Sequence, residues 1–185
     1  MKLSPVQALW LALFITAGSP IAGKFSVGYM SPSFILLAGT LTTLALYAPW
    51  LTKHKMWGRL LDKDIRFRLS VMGLFGTALP FMLLLLALRW TTPSNSAILN
   101  QAESVYSLIF AFLFLRERPS LKQIAGTVMV VAGAVLILAV NGYTPMWKGD
   151  LIVIGTVWMF QVSHIAAKKL PADISGDFIT AARGF

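Results

Sequence analysis

Six apolar runs divide this sequence, and each is long enough to cross a lipid bilayer as a helix. A transmembrane helix needs about 20 mostly apolar residues, and a segment surrounded by lipid must satisfy its own backbone hydrogen bonds, as a helix does. The runs predicted to span the membrane are residues 6–25, 31–51, 69–88, 94–115, 124–140 and 151–167. The sequence therefore predicts an all-α polytopic membrane protein with six transmembrane helices, which we number spans 1 to 6.

The small number of charges also points to lipid as the solvent. Charged residues make up 12% of the 185 residues and hydrophobic residues 57%, whereas a soluble domain carries about 25% charged residues. Cysteine is absent, which excludes a disulfide framework and a cysteine metal site. The formal net charge of +9 would suggest a nucleic-acid partner in a soluble protein, but here the basic residues lie between the apolar runs. We therefore predict no nucleic-acid partner, no metal and no cofactor.

The distribution of lysine and arginine predicts the orientation of the chain. With the N-terminus in the cytoplasm, twelve of the 16 basic residues fall on the cytoplasmic side, which agrees with the positive-inside rule. Lys24, Arg89 and Lys148 are the three expected on the other side. We expect an integral protein of the bacterial inner (plasma) membrane. A removable signal peptide is the weaker interpretation of the first run, because the run continues past its small residues.

Two short segments predict an internal repeat. Residues 19–25 read SPIAGKF and residues 163–169 read SHIAAKK, so that Lys24 corresponds to Lys168. Five spans separate the two segments, and the second copy therefore crosses the membrane in the opposite sense, as in inverted-repeat transporters. Two repeats of this length need about 290 residues, so the chain is expected to be truncated, or its tail to lie at the membrane interface. The last ten residues cover only about 15 Å as a helix and form a stub.

Three stretches carry a resemblance to a known family. They are GLFGTALPFMLLLLALRWTTPSNSAIL at residues 73–99, LFLRERPSLKQIAGTVMVVAGAVLIL at 113–138 and GDLIVIGTVWMFQVSHIAAKKL at 149–170. They resemble the EamA-type branch of the drug/metabolite transporter superfamily, with Glu117 and Trp158 on two of its marked positions. The resemblance implies ten helices in two inverted five-helix repeats. Residues 1–140 would then form the first repeat, and residues 149–185 the truncated beginning of the second.

The sequence departs from the family pattern at three positions. Ser104, which follows Glu103, stands where the family usually has a proline in span 4. Ala17 stands at the position of a common tryptophan in span 1, and Arg116 replaces the small residue before Glu117. Because the first two positions belong to the presumed pathway, the substrate of other members is not carried over.

Span 4 contains the clearest candidate site. At 100° per residue, four polar side chains fall on one face of this helix, and a carboxylate inside a membrane span indicates function by default. The four are Ser96, Asn100, Glu103 and Ser107. We predict that they form a wall of the substrate cavity, with Glu103 binding a proton or a cationic group. The alternative is interhelical hydrogen bonding that only stabilises the bundle.

Four further residues are predicted to belong to the pathway. Pro80 removes a backbone donor from span 3 and shares a face with Thr77, which predicts either free carbonyls or a hinge, with close helix contact as the alternative. Ser19 lies where a glycine and a proline are expected to interrupt span 1, with close helix contact again as the alternative. His164, near the end of span 6, could titrate or bind substrate, or could be a satisfied interfacial residue.

Several other positions are predicted to be structural. Glu117 is expected to pair with a nearby lysine or arginine, or to act as a helix cap, and Ser94 is expected to cap the N-terminus of span 4. Trp90, Tyr143 and other aromatic residues near the span boundaries are expected to anchor the chain at the membrane interface.

These features predict a secondary transporter that exports or imports a small metabolite by alternating access. Amino acids or similar polar or organic solutes are expected from the family resemblance alone. The chain has no nucleotide-binding loop, so proton coupling or exchange is expected. A non-transporting scaffold or assembly protein is one alternative, and a half-size transporter working as a homodimer is another. We predict no enzymatic activity, because the two histidines lack an acidic cluster.

Overall fold

The computed structural model describes residues 4–140, 142–171 and 174–183, and within these ranges the regular structure is entirely helical. A π-helical segment, Leu74–Ala78, follows α4 directly. The α-helices are α1 (Pro5–Tyr29), α2 (Pro32–Lys53), α3 (Trp57–Leu60), α4 (Lys63–Gly73), α5 (Leu79–Ala87), α6 (Pro93–Leu99), α7 (Ala102–Leu115), α8 (Leu121–Val140), α9 (Trp147–Lys168) and α10 (Gly176–Arg183).

The six predicted spans are confirmed. Each corresponds to a helical stretch that is long and apolar enough to cross a membrane: Val6–Tyr29, Pro32–Lys53, Ile65–Ala87, Pro93–Leu115, Leu121–Val140 and Trp147–Lys168. The most apolar windows of α1 and α8 contain no buried residue. Such extensive apolar exposure is unfavourable in water and favourable in hydrocarbon, so the chain is an integral membrane protein.

The cap of span 4 differs from the prediction. Thr92, not Ser94, is the N-cap of α6, and its hydroxyl accepts a hydrogen bond from the backbone N–H of Asn95 at 3.0 Å. Pro93 occupies the first turn of the helix, where the missing N–H of a proline costs nothing because that donor has no intrahelical partner. The cap therefore moves to the residue before the proline.

Pro80 explains the irregular middle of span 3. It has no N–H to donate into the preceding turn, and the ladder widens there, with the N–H of Leu79 donating to the carbonyl of Leu74. This is the five-residue spacing of a π-helix, and such segments are frequent at functional sites. The regular hydrogen-bond ladder of span 3 is therefore loosened before Pro80, and Pro80 itself is fully buried.

Span 4 is interrupted at Asn100 and Gln101, between α6 and α7. The N–H of Glu103 donates to the carbonyl of Asn100 at 3.0 Å, and the N–H of Ser104 donates to that of Gln101 at 3.0 Å. These are three-residue spacings, and a turn with three residues advances 120° per residue instead of 100°. Compared with a straight α-helix, the polar residues after the interruption are therefore turned about the helix axis relative to those before it.

Helix α9 occupies the centre of the bundle. It packs against α4, the π-helical segment, α5, α6 and α7. Its buried side chains include Val153 and Val157, which contact the fully buried Ala87 of α5. The inverted relation of α1 to α9 and the division into two repeats stay predictions.

The short helix α10 is held by apolar contacts to α2 and α4. Phe178 is fully buried in a cluster with Leu51, Ile65 and Leu69. The eight residues of α10 rise about 12 Å. These contacts hold α10 against the bundle and place its last described residue, Arg183, beside span 3 and α9.

Candidate functional site

A groove runs along the bundle between α1, α2, span 3 and α10. It consists of two chambers of about 530 Å³ and 650 Å³. Binding sites for small molecules commonly measure about 300–1,000 Å³, so either chamber is large enough for a metabolite. The chambers meet at four residues that line both of them, namely Leu36, Thr40, Thr77 and Arg183.

Hydroxyl groups, apolar side chains and two cations line the groove. The apolar part includes Leu36, Phe81 and Leu85, and the cations are Arg66 and Arg183. No aspartate or glutamate belongs to the described lining. The hydroxyl-bearing residues are Ser19, Ser26, Thr40, Thr43, Ser70, Thr77 and Thr180. Such a surface can bind an uncharged or anionic polar group and an apolar body together.

Arg183 lies where the chambers meet. One terminal nitrogen, Nη2, donates to the hydroxyl of Ser163 at 3.1 Å. The Nε nitrogen is buried and has no partner among the described residues. Gly76 makes this arrangement possible, because a methyl group there would collide with the Ser163 side chain and approach Nη2 of Arg183 to 3.7 Å. The glycine thus allows α9 to bring Ser163 close to the guanidinium.

The structure separates the predicted pathway residues into two groups. Ser19 and Thr77 line the groove, and Pro80 lies buried in the wall of span 3. The expected interruption of span 1 at Ser19 is wrong, because α1 continues as one helix past Pro20 to Tyr29. His164 is exposed on α9 and does not line the groove. The polar residues of span 4 lie elsewhere: none of Ser96, Asn100, Glu103 and Ser107 belongs to the described lining of either chamber.

The polar residues of span 4 do not share one environment. Ser96 is buried, Asn100 and Glu103 are half-buried, and Ser107 is exposed. The side chain of Gln161 donates to Glu103 across 3.4 Å, a long hydrogen bond, and the side-chain oxygen of Asn100 is buried without a described partner. The three-residue turn between α6 and α7 breaks the straight helix on which the single polar stripe was based.

Glu117 has the predicted basic partner. Lys168 places its Nζ 2.8 Å and 2.9 Å from the two carboxylate oxygens of Glu117. Both side chains are more than half exposed, and exposed ion pairs contribute at most about 1 kcal/mol. The pair connects the end of α7 to the end of α9.

A second polar cluster, which the sequence analysis did not single out, lies at the opposite end of α9. Asp150 is buried and accepts hydrogen bonds from the Thr91 hydroxyl at 2.5 Å, the Tyr143 hydroxyl at 2.5 Å and the Met146 N–H at 2.9 Å. The hydrogen bond to Asp150 is the main cause that raises the pKa of Tyr143 to about 12, and burial and the nearby negative charge add to it. Tyr143 is thus a hydrogen-bond donor as well as a boundary aromatic residue.

Gly149 brings this cluster together. A methyl group at this position would lie 2.8 Å from the backbone nitrogen of Thr91, so only glycine permits the close approach of α9 to the turn after α5. Gly149 and Asp150 open the third stretch that resembles the family, and this pair was the sequence feature from which the cluster could have been predicted. The cluster joins the loop before α9 to the turn between α5 and α6.

Lys24 also has a structural role that the sequence alone did not predict. Its Nζ donates to the carbonyls of Leu88 at 2.6 Å and Thr91 at 2.9 Å. These carbonyls follow the C-terminus of α5, where orphan acceptors and the negative end of the helix dipole favour a cation. Beyond this turn, Lys148 lies 4.0 Å from the ring centre of Trp90 in a cation–π contact.

Comparisons with known proteins find relatives that are named as transporters. A transporter of Archaeoglobus fulgidus named as uncharacterized is 26% identical over 181 residues, which are 94% of this chain and 60% of that protein. The uncharacterized transporter YyaM of Bacillus subtilis is 24% identical over 159 residues, or 80% of this chain and 50% of that protein. A "probable terminal-alkyne amino-acid exporter" of Streptantibioticus cattleyicolor is 30% identical over 82 residues, or 44% of this chain and 28% of that protein.

No solved structure matches the chain. The chain spans 60% and 50% of the lengths of the first two relatives. The profile of the EamA-like transporter family covers residues 3–139, which include spans 1 to 4, all but the last residue of span 5 and most of the groove. The chain therefore belongs to the EamA-like transporter family.

Proposed function

We propose that the groove is the substrate pathway of a secondary transporter for a small metabolite. The observation that carries this proposal is a cavity of metabolite size beside the membrane-spanning helices, lined by hydroxyl groups and one half-buried guanidinium. Hydroxyl groups and a guanidinium are unfavourable on a surface that faces lipid, and polar residues at membrane depth generally mark a solute pathway. Family membership and the transporter names of the relatives support the same reading.

Alternating access requires an element that can change shape beside the substrate. The π-helical segment contains Thr77, which lines both chambers, and it ends two residues before Pro80. A π-helical turn and a proline both weaken the regular backbone ladder of a helix. We propose that span 3 bends at this segment when the groove changes the side of the membrane to which it opens.

The proposed substrate is an amino acid or a similar polar or organic solute, and the proposed direction is efflux. The name of the Streptantibioticus cattleyicolor relative supports this class. The groove supports it as well, because it offers hydroxyl groups for a polar head and Phe81 and Leu85 for an apolar side chain. The positive-inside distribution supports a cytoplasmic N-terminus in a bacterial inner membrane.

Glu103 is the proposed proton carrier. It is a carboxylate in a membrane span, its described hydrogen bond is long, and that bond comes from a neutral amide. Because Glu103 and the groove lie on different sides of α9, a proton on Glu103 would act on the groove through a movement of α9. Exchange of one solute for another without a proton is the alternative, and a homodimer of half-size units stays a further proposal.

Transport by the full chain in proteoliposomes tests this function. We expect radiolabelled neutral amino acids to enter preloaded vesicles by counterflow faster than in protein-free vesicles, and a pH gradient to increase their accumulation. Glu103→Gln should keep the counterflow and lose the response to the gradient, whereas Glu117→Gln, the same change in an exposed ion pair, should keep both. Counterflow no faster than in protein-free vesicles would favour a scaffold or assembly role.

A further inference from the structure

Arg183 is a cation at membrane depth without a counter-ion among the described residues. It lies beside Gly76, which is near the middle of the span Ile65–Ala87. A guanidinium stays charged in proteins and has five N–H donors. One nitrogen of Arg183 donates a hydrogen bond to the hydroxyl of Ser163, and the buried Nε has no described partner. A charged group with free donors at this depth is costly unless something else binds it.

The surroundings of Arg183 indicate the chemical class of ligand that its free donors would bind. Both chambers meet at the guanidinium, and no described lining residue is acidic. Thr40 and Thr77 lie at the same junction and provide hydroxyl groups beside the positive charge. A planar guanidinium binds the two oxygens of a carboxylate through two parallel hydrogen bonds. Leu36, Phe81 and Leu85 offer an apolar surface for the rest of such a molecule.

We propose that Arg183 is the specificity-determining residue of the groove and binds the carboxylate of a small organic anion. The proposal rests on the proposed function, because it identifies the substrate class of the same pathway. The other cation of the groove, Arg66, is exposed and lines only the 650 Å³ chamber, so that Arg183 is the cation at the junction of the two chambers. One guanidinium balances one carboxylate charge. A phosphate group, with close to two negative charges, would leave excess charge at membrane depth, which is unfavourable.

A purely structural role for Arg183 makes a different prediction. In that case its one hydrogen bond to Ser163 would only hold α10 against α9. Arg183→Gln and Ser163→Ala would then lower the unfolding temperature by similar amounts, and neither would change the preference among ligands. A binding role predicts that Arg183→Gln removes the preference for an anion, while Ser163→Ala, which leaves the guanidinium in place, retains it.

Equilibrium dialysis of the purified full chain in detergent micelles at pH 7.5 tests the proposal with matched probes. Phenylacetate is the anion, phenylacetamide has nearly the same shape without the charge, phenethylammonium carries the opposite charge, and phenyl phosphate carries a second negative charge. We expect phenylacetate to bind most tightly. Arg183→Gln should weaken phenylacetate binding roughly 10- to 100-fold, as for a lost charge-assisted hydrogen-bonded pair.

The controls make each outcome decisive. Arg183→Lys should restore part of the affinity, and Arg118→Gln, the same change at an exposed arginine outside the groove, should leave it unchanged. Equal binding of phenylacetate and phenylacetamide, unchanged binding by a folded Arg183→Gln variant, or tighter binding of phenyl phosphate would overturn the proposal. So would the absence of phenylacetate binding. Counterflow of neutral solutes in proteoliposomes made from the same purified protein would then show that transport stands and only the substrate class is wrong.

Discussion

Gln161 and Ser163 direct polar groups to opposite sides of α9. Two residues along a helix are separated by about 200°, and the side chain of Gln161 reaches Glu103 while Ser163 accepts a hydrogen bond from Arg183. One central helix therefore contacts the acidic group of span 4 on one side and the basic group of the groove on the other. A shift of α9 would alter both contacts together, and this geometry is the basis for the proposed coupling.

Gly76→Ala should destabilise the protein. The added methyl group would collide with the side chain of Ser163, and overpacking of this kind typically costs about 1–3 kcal/mol. Thermal unfolding in detergent micelles measures the loss. Gly155→Ala is the control, because nothing described lies within 4 Å of its added methyl. A double variant with Ser163→Gly should lose less than the sum of the two single changes, and strict additivity would contradict the proposed collision.

Asp150→Asn should lower the pKa of Tyr143 from about 12 toward the ordinary value of about 10. Ultraviolet absorbance of tyrosinate during alkaline titration measures this change, and Tyr143→Phe identifies the step among the four tyrosines. The raised pKa also predicts a pH effect on stability. The contribution of the protonated hydroxyl is complete below pH 10 and is lost as the pH rises toward 12. An unchanged titration in Asp150→Asn would exclude the carboxylate as the cause.

Lys24→Met should destabilise the turn after α5. The substitution keeps an apolar stem but removes the ammonium that donates to the carbonyls of Leu88 and Thr91. Hydrogen bonds to a charged group contribute about 1.5–3 kcal/mol, and we expect a loss in that range for the free energy of unfolding. Lys122→Met, at an exposed position, should change it by less than about 0.5 kcal/mol. Equal effects of the two substitutions would show that the ammonium of Lys24 is not a cap.

Arg116→Gly should stabilise the end of α7. Arg116 adopts a left-handed backbone conformation with a φ of 55°, which is unfavourable for a residue with a Cβ atom and suits glycine. The family resemblance places a small residue here, so this departure introduces local strain. We expect a gain of up to about 1 kcal/mol in the free energy of unfolding. Arg116→Ala keeps the Cβ atom and should give no such gain, and a similar gain from alanine would point to the arginine side chain instead.

The spans could be predicted because they depend on local sequence: apolar length alone decides whether a segment can cross lipid. That Glu117 has a basic partner could also be predicted, but which residue it is could not, because Lys168 lies 51 residues away in the chain and is brought there by the packing of α9. The cap at Thr92 could have been predicted from the preference of Pro93 for the first helical turn. The polar stripe of span 4 depended on an uninterrupted helix, and the turn at Asn100 and Gln101 removes that condition.

By itself, the sequence determined that this protein is helical, that six segments can cross a membrane and that the chain resembles EamA-type transporters. Those properties follow from hydrophobicity, length and short motifs, which act within one segment. Only the tertiary structure decided that α10 brings Arg183 to the groove and that α9 separates it from Glu103. It also decided that Asp150 joins Tyr143 to Thr91. These relationships join residues far apart in the chain, and they depend on how closely glycines such as Gly76 and Gly149 allow the helices to approach.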